Sequence, residues 1–307
     1  MSLDPQIAAL LQPMNAQPAP DYSRMDAASM RLAYTMPPLC PPTPMAEVRE
    51  ISVNGAAGLL AARLYRPQAQ DGLPLLVFFH GGGFVFGDLD SHDELCRRLA
   101  LQSNAVVVSV DYRRAPEARY PAAALDAFHA LRDLAARGAE LQVDSHRLAV
   151  AGDSAGANLA IAACRQALRQ GGPRIAYQCL FYPVTDLRCA SPSYEAFADG
   201  YLLSRTMMLW CRDQYLKNLD QSHEALASPL LSNDLEGLPP TTLISAEYDP
   251  LRDEGEAFAE RLRDAGVAVR LQRATGMIHG FVSFAPLVEG AATALEQAAS
   301  DLRHALA

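Results

Sequence analysis

Residues Arg147–Gln170, "RLAVAGDSAGANLAIAACRQALRQ", pass from an apolar, strand-like run through Gly152-Asp153-Ser154-Ala155-Gly156 into a helical pattern. A strand that turns so quickly into a helix forces one residue into a strained conformation, and flanking glycines relieve the resulting clashes. With serine in the strained position, Oγ stands at a helix N-terminus, as in a nucleophile elbow. Gly-x-Ser-x-Gly alone is a weak signal; the strand before it and the helix after it make it specific. The competing reading, a dinucleotide-type phosphate turn, lacks both G-x-G-x-x-G and an acidic residue placed for a ribose.

Outward from this stretch, "LLVFFH", "AVVVSV", "AYQCLFYP", "TTLISAE" and "VAVRLQR" are near-continuous apolar runs, as strands buried on both faces should be. "VREISVN" and "LLAARLYRP", separated by "GAAG", alternate with period two and suggest an antiparallel pair at a sheet edge. Helix-like segments at 90–103, 121–137, 155–170, 251–265 and 286–306 fall between the later strands. Such alternation predicts a mostly parallel α/β sheet with helices on both faces. Two segments break the alternation. Residues 1–46 carry two amphipathic pieces before a Pro-rich boundary and read as a helical arm lying on another surface. Residues 186–228 contain no strand but hold the single Trp, a Met pair and several aromatics. They read as a helical insertion covering a site, the alternative being a longer crossover. The catalytic unit is then 47–185 together with 229–307.

A serine hydroxyl needs a base to take its proton and a carboxylate to hold that base in the right tautomer; in an elbow-type fold the order is Ser, Asp or Glu, His. Only His223, His279 and His304 follow the serine. His304 lies in a helical pattern and His223 in a polar stretch of the insertion, whereas His279 follows a strand in the loop "ATGMIHGF". After "TTLIS" the candidate acids are Glu247, Asp249, Asp253 and Glu254. Asp249 precedes Pro250 at the strand's C-terminal end, where ligand sites of open α/β sheets gather. Asp253 and Glu254 suit helix N-terminal capping. "FHGGGF" at 79–84 places three glycines at another strand end, where main-chain N–H groups can face a ligand. An ester carbonyl under attack becomes an oxyanion, and this loop together with Ala155 N–H can supply its donors. His80 is then a loop-bracing group, and Gly81 a residue that shapes the turn.

The chain has 307 residues, of which 50% are hydrophobic and 20% charged, and its net charge is −9. Its mean hydropathy is near zero. Lys is nearly absent, so attraction to nucleic acid or to an anionic membrane is not expected. No run approaches the length of a membrane span, and the start does not read as a secretory signal; a cytoplasmic protein is expected. The six cysteines are scattered without metal-ligand spacing and read as reduced, mostly packed thiols.

The sequence resembles the hormone-sensitive-lipase-like group of α/β-hydrolases, the bacterial family IV esterases. The matching motifs are "HGGGF" at 80–84, "DYRRAPEARYPAAALD" at 111–126, "GDSAGANLA" at 152–160, "DPLRDEG" at 249–255 and "HGF" at 279–281. The resemblance implies an α/β-hydrolase fold with an eight-stranded, mostly parallel sheet and a helical cap formed by the arm and the insertion. It implies a triad of Ser154, Asp249 and His279, with Gly82, Gly83 and Ala155 donating to the oxyanion. The implied activity is serine carboxylesterase action on small-molecule esters of short to medium acyl chains, without metal or organic cofactor. Homodimers occur among such proteins. Arg114 stands where the family usually has Leu. The same triad would serve an amidase or deacetylase, and the fold also serves non-catalytic receptors, which are expected to lack part of a triad. Phe84, Tyr182, Tyr201, Leu202, Met207, Met208 and Trp210 are candidates to line the substrate pocket, with core packing the alternative for most of them.

Overall fold

Every residue of Leu73–Phe79 is buried, and alternate side chains enter different cores: Leu75, Val77 and Phe79 on one face, Leu76 and Phe78 on the other. This computed structural model, which describes residues 2–18, 20–35 and 37–307, builds outward from that central strand. The strands are β1 (Glu47–Gly55), β2 (Gly58–Arg66), β3 (Leu73–Phe79), β4 (Val106–Val110), β5 (Val143–Asp153), β6 (Tyr177–Phe181), β7 (Thr241–Tyr248) and β8 (Val269–Ile278). They form one eight-stranded sheet in the order β1-β2-β4-β3-β5-β6-β7-β8. β1 pairs antiparallel with β2, and β2 with β4; every other pairing is parallel. The expected antiparallel edge pair and the parallel α/β sheet are both present.

The helices are α1 (Pro5–Asn15), α2 (Ala27–Tyr34), α3 (Asp93–Ser103), α4 (Ala122–Ala136), α5 (Ala155–Gln170), α6 (Ser193–Ala196), α7 (Arg205–Tyr215), α8 (Arg252–Asp264) and α9 (Glu289–Ala305). Apolar side chains of α4, α5 and α8 fill the core on one face of the sheet, and those of α3 and α9 fill the other.

The segment before β1 does more than rest on a surface. Asp4 caps α1 through N–H bonds from Gln6 and Ile7, and Pro5 begins the helix. Ile7 and Leu11 are buried in the α3/α9 core, whereas Ala27 and Met30 of α2 are buried in the opposite one. The arm therefore reaches both faces. Between β6 and β7, residues 186–228 hold α6, α7 and a 3-10 turn at Leu219–His223. Trp210 on α7 donates Nε1–H to Met25 O at 3.1 Å, and Asn15 donates to Gly200 O at 3.0 Å, so arm and insertion touch.

One boundary differs from expectation. β8 runs on through Ala274–Ile278, where the sequence predicts a loop, because pairing with β7 resumes past a bulge with Ile278 opposite Tyr248. His279 therefore follows the strand directly.

Candidate active site

Four strand ends, one of them leading straight into a helix N-terminus, assemble the site. Ser154 lies between β5 and α5 with φ 55° and ψ −119°, the strained conformation expected of an elbow. Its N–H donates to Phe181 O at 2.9 Å, and its carbonyl accepts from Val184 N at 3.2 Å, so the end of β6 holds the strained residue in place. A Cβ on Gly156 would lie 1.9 Å from Phe79 O, which is why only glycine lets α5 pack this close to β3.

Ser154 Oγ is 2.9 Å from His279 Nε2, and His279 Nδ1 is 2.8 Å from Asp249 Oδ2. Asp249 is fully buried, with Ser154 6% and His279 8% exposed. The other Asp249 oxygen accepts from Leu251 N at 2.8 Å. An ionised carboxylate only accepts, so Nδ1 carries the imidazole proton and the Nε2 lone pair faces the serine hydroxyl. The arrangement can take a proton from Ser154 and hold it on an imidazolium beside a buried counter-charge.

The other acids and histidines after the serine lie elsewhere. Glu247 accepts from Gly276 N at 2.7 Å and pins β8 to β7, and Asp253 pairs with Arg252. Glu254 is not a simple capping residue: it is buried and accepts from the N–H groups of Thr185 and Asp186. Burial pushes its carboxyl well above the usual range, with the carboxylates of Asp186 and Asp249 adding to the shift and the two N–H groups opposing it. His223 and His304 are exposed. His80 stacks on Tyr112 with ring centroids 4.3 Å apart and contacts Gly81 O through Nδ1, which fits a bracing role.

Gly82 and Gly83 have positive φ angles of 115° and 58°. Among the described residues, the N–H groups of Gly82, Gly83 and Ala155 have no acceptor. A Cβ on Gly82 would lie 2.1 Å from Phe86 O, and one on Gly83 would lie 2.4 Å from Cys211 Sγ. Alanine at Gly82 would therefore disturb the fold as well as the donor, because the obstacle there is backbone. Gly81 also does more than shape the turn: its N–H donates to Asp153 Oδ1 at 2.7 Å.

Of the seven pocket candidates, Tyr182 lies at the site, its ring 4.6 Å from that of His279. Leu202 Cδ2 comes within 3.8 Å of where a Gly280 Cβ would stand, and the Leu202 side chain is 38% exposed. Tyr201 stacks on Tyr248 at 5.2 Å, and Met207 is half-buried on α7. Phe84 is buried flat against Tyr215 at 3.9 Å, and Met208 and Trp210 are buried as well, so these three pack the interior. Arg114 donates to Gly87 O at 2.6 Å, a local brace for the loop after the glycines.

No sequence motif marks Tyr34 or Arg31, yet both lie against the segment that follows the glycines. Tyr34, 36% exposed at the end of α2, packs its ring 4.5 Å from Phe86. Arg31 donates to Val85 O, to Ala115 O and to both oxygens of Glu117. An Arg and a Tyr three residues apart on an amphipathic helix share one face, but nothing local says what that face meets.

Similarity to known proteins agrees with this geometry. A family profile described as the alpha/beta hydrolase fold matches residues 76–283. The chain is 39% identical to Carboxylesterase NlhH of Mycobacterium tuberculosis over 99% of its own length and 96% of that protein's. It is 41% identical to Carboxylic ester hydrolase LipN of the same organism, over 84% of this chain and 70% of that one. A crystal structure of a thermostable esterase from Pseudomonas putida ECU1011 superposes with a TM-score of 0.95 at 36% identity, covering 100% of this chain and 98% of the other. The chain belongs to the α/β-hydrolase family, among the hormone-sensitive-lipase-like carboxylic ester hydrolases its motifs resemble.

Proposed function

We propose that this carboxylic ester hydrolase works as a serine carboxylesterase on small esters with short to medium acyl chains, using Ser154, His279 and Asp249. The observation that carries the reading is the unbroken chain of contacts from Ser154 Oγ to His279 to buried Asp249, at 2.9 and 2.8 Å. His279 Nε2 takes the hydroxyl proton as Oγ bonds to the ester carbonyl carbon, and the carbonyl electron pair moves onto oxygen. That oxyanion is received by the N–H groups of Gly82, Gly83 and Ala155, at the positive end of the 16-residue α5. As the tetrahedral intermediate collapses, the alcohol leaves with the proton from His279, and Ser154 keeps the acyl group. Water, deprotonated by the same imidazole, then attacks the acyl carbon; the acid departs and Oγ regains its proton.

Residues 1–46 and 186–228 act as the cap over the catalytic unit of 47–185 and 229–307. The contacts of Trp210 with Met25 and of Asn15 with Gly200 support this division. In this reading Tyr34, Tyr182, Tyr201, Leu202 and Met207 wall the pocket, and a closed wall disfavours long acyl chains. The experiment is hydrolysis of p-nitrophenyl esters from acetyl to palmitoyl by wild type and Ser154→Ala. Wild type should act best on the shorter members, and Ser154→Ala should lose all but background hydrolysis; a serine variant that retained turnover would remove the assignment.

All six cysteines are unpaired, which supports a reducing, cytoplasmic location; recovery of the native protein from an extracellular fraction would count against it. β1 and β8 are the two edges of the sheet, and a homodimer through such an edge is consistent with this layout. Sedimentation at a single monomer mass across micromolar concentrations would exclude it.

A further inference from the structure

Asp153 is the last residue of β5, directly before the nucleophile; it is 5% exposed and takes no part in the proton path described above. One of its oxygens, Oδ1, accepts from Gly81 N at 2.7 Å and lies 3.2 Å from His92 Nε2. His92 is itself buried just before α3, with Nδ1 2.9 Å from Ser91 Oγ. Ser91 Oγ in turn bonds both the N–H and the carbonyl of Asp88. The other carboxylate oxygen sits where Gly81 leaves room for it: a Cβ on Gly81 would lie 2.4 Å from Asp153 Oδ2. That close approach is a physical reason for the first glycine of "HGGGF", which the oxyanion role of the other two leaves unexplained.

We propose that Asp153, held by His92, is a positioning residue that fixes the Gly82 and Gly83 N–H groups at a set distance from Ser154. The inference rests on the reading that those N–H groups receive the oxyanion. Gly81 adjoins Gly82 along the chain and Asp153 adjoins Ser154, so a single carboxylate bridge spans from donor loop to nucleophile. β3 and β5 already lie side by side, with Phe79 opposite Gly152, but the loop leaves the sheet after Phe79 and needs a separate tie. Donors to a developing oxyanion work only when held close to their target, within roughly 0.5 Å, and a buried charge-assisted hydrogen bond is a stiff way to hold them. His92 turns the carboxylate toward Gly81 through its contact with the same oxygen. Burial alone would raise the Asp153 carboxyl; His92 and the Gly81 N–H outweigh it, and the group is held below the usual carboxylate range.

The test uses the full-length enzyme with Asp153→Ala, Asp153→Asn and His92→Gln. Asparagine keeps an acceptor oxygen for Gly81 and alanine does not. With p-nitrophenyl butyrate, Asp153→Ala should lose roughly a hundredfold in kcat, the scale of one oxyanion donor, with KM changed by less than about threefold. Affinity for an alkyl trifluoromethyl ketone, whose adduct with Ser154 carries the same oxyanion, should fall by a similar factor. The pH dependence of kcat/KM should keep its wild-type shape. Asp153→Asn should recover to within about tenfold of wild type, and His92→Gln should fall between the two. Wild-type kcat and ketone affinity in Asp153→Ala would overturn the proposal. If Asp153→Ala does not fold, Asp153→Asn and His92→Gln decide: loss of thermal stability in both with kcat and ketone affinity unchanged would also overturn it. A wild-type enzyme that does not bind the ketone would instead remove the oxyanion reading on which the inference rests.

Discussion

Asp249 gives one oxygen to His279 and the other to Leu251 N–H, so both are occupied in a fully buried position. Asp249→Asn keeps the shape but lets an amide N–H face Nδ1, which favours the wrong imidazole tautomer. We expect kcat to fall by about 10⁴ with little change in melting temperature; kinetics and a thermal melt on one preparation check it. Gly82→Ala differs in kind. Its Cβ meets the Phe86 carbonyl at 2.1 Å with φ at 115°, so we expect a loss of stability of about 1–3 kcal/mol as well as of turnover. A variant with wild-type melting behaviour would show that the loop adapts. Glu254 supplies a pH-dependent term. Its proton is held more tightly folded than unfolded, because burial raises it and the carboxylates of Asp186 and Asp249 add to that. Its contribution is therefore complete below the ordinary glutamate value and is lost as pH rises toward the folded one. Between about pH 5 and about pH 9 the melting temperature of Glu254→Gln should decline less than that of wild type; parallel declines would contradict this. Ser154, His279 and Asp249 were legible in the sequence because each sits at a strand end within a local motif. Asp153 was not, since its partners Gly81 and His92 lie more than 60 positions away with no periodic pattern linking them.

At the scale of elements, the arm is fastened as well as draped. Arg31 on α2 makes four hydrogen bonds to Val85, Ala115 and Glu117, close to the glycine loop. The guanidinium holds the Glu117 carboxyl down at about 2, so the pair stays charged throughout the pH range of an esterase assay. Arg31→Ala should raise KM for p-nitrophenyl butyrate by roughly tenfold while changing kcat less, and should speed tryptic cleavage after Arg24. Unchanged KM and unchanged cleavage would detach the arm from the pocket. Removing residues 1–46 outright is a poorer experiment. Ile7, Leu11 and Met30 are core residues, each of the kind whose burial stabilises by about 1.5–3 kcal/mol. The arm's helices could be read from their period, and the strands from their apolar runs. Which face each arm helix joins could not, because α1 and α2 bury their stripes against opposite sides of the sheet.

For the molecule as a whole, the sheet brings the ends of β3, β5, β7 and β8 to one rim, where the glycine loop, the serine, the aspartate and the histidine meet. The order of these parts along the chain was visible from the motifs. Their convergence follows from the parallel pairing of β3, β5, β6, β7 and β8, which sends every one of those strands out at the same edge. The central claim is that Ser154 carries the acyl group during turnover. The measurement is rapid quenching of the enzyme with p-nitrophenyl butyrate, followed by mass spectrometry of the peptide containing residues 148–165. The expected result is one butyryl group on Ser154 in wild type, and none in Ser154→Ala. Turnover with no covalent adduct, or an adduct on another residue, would contradict it.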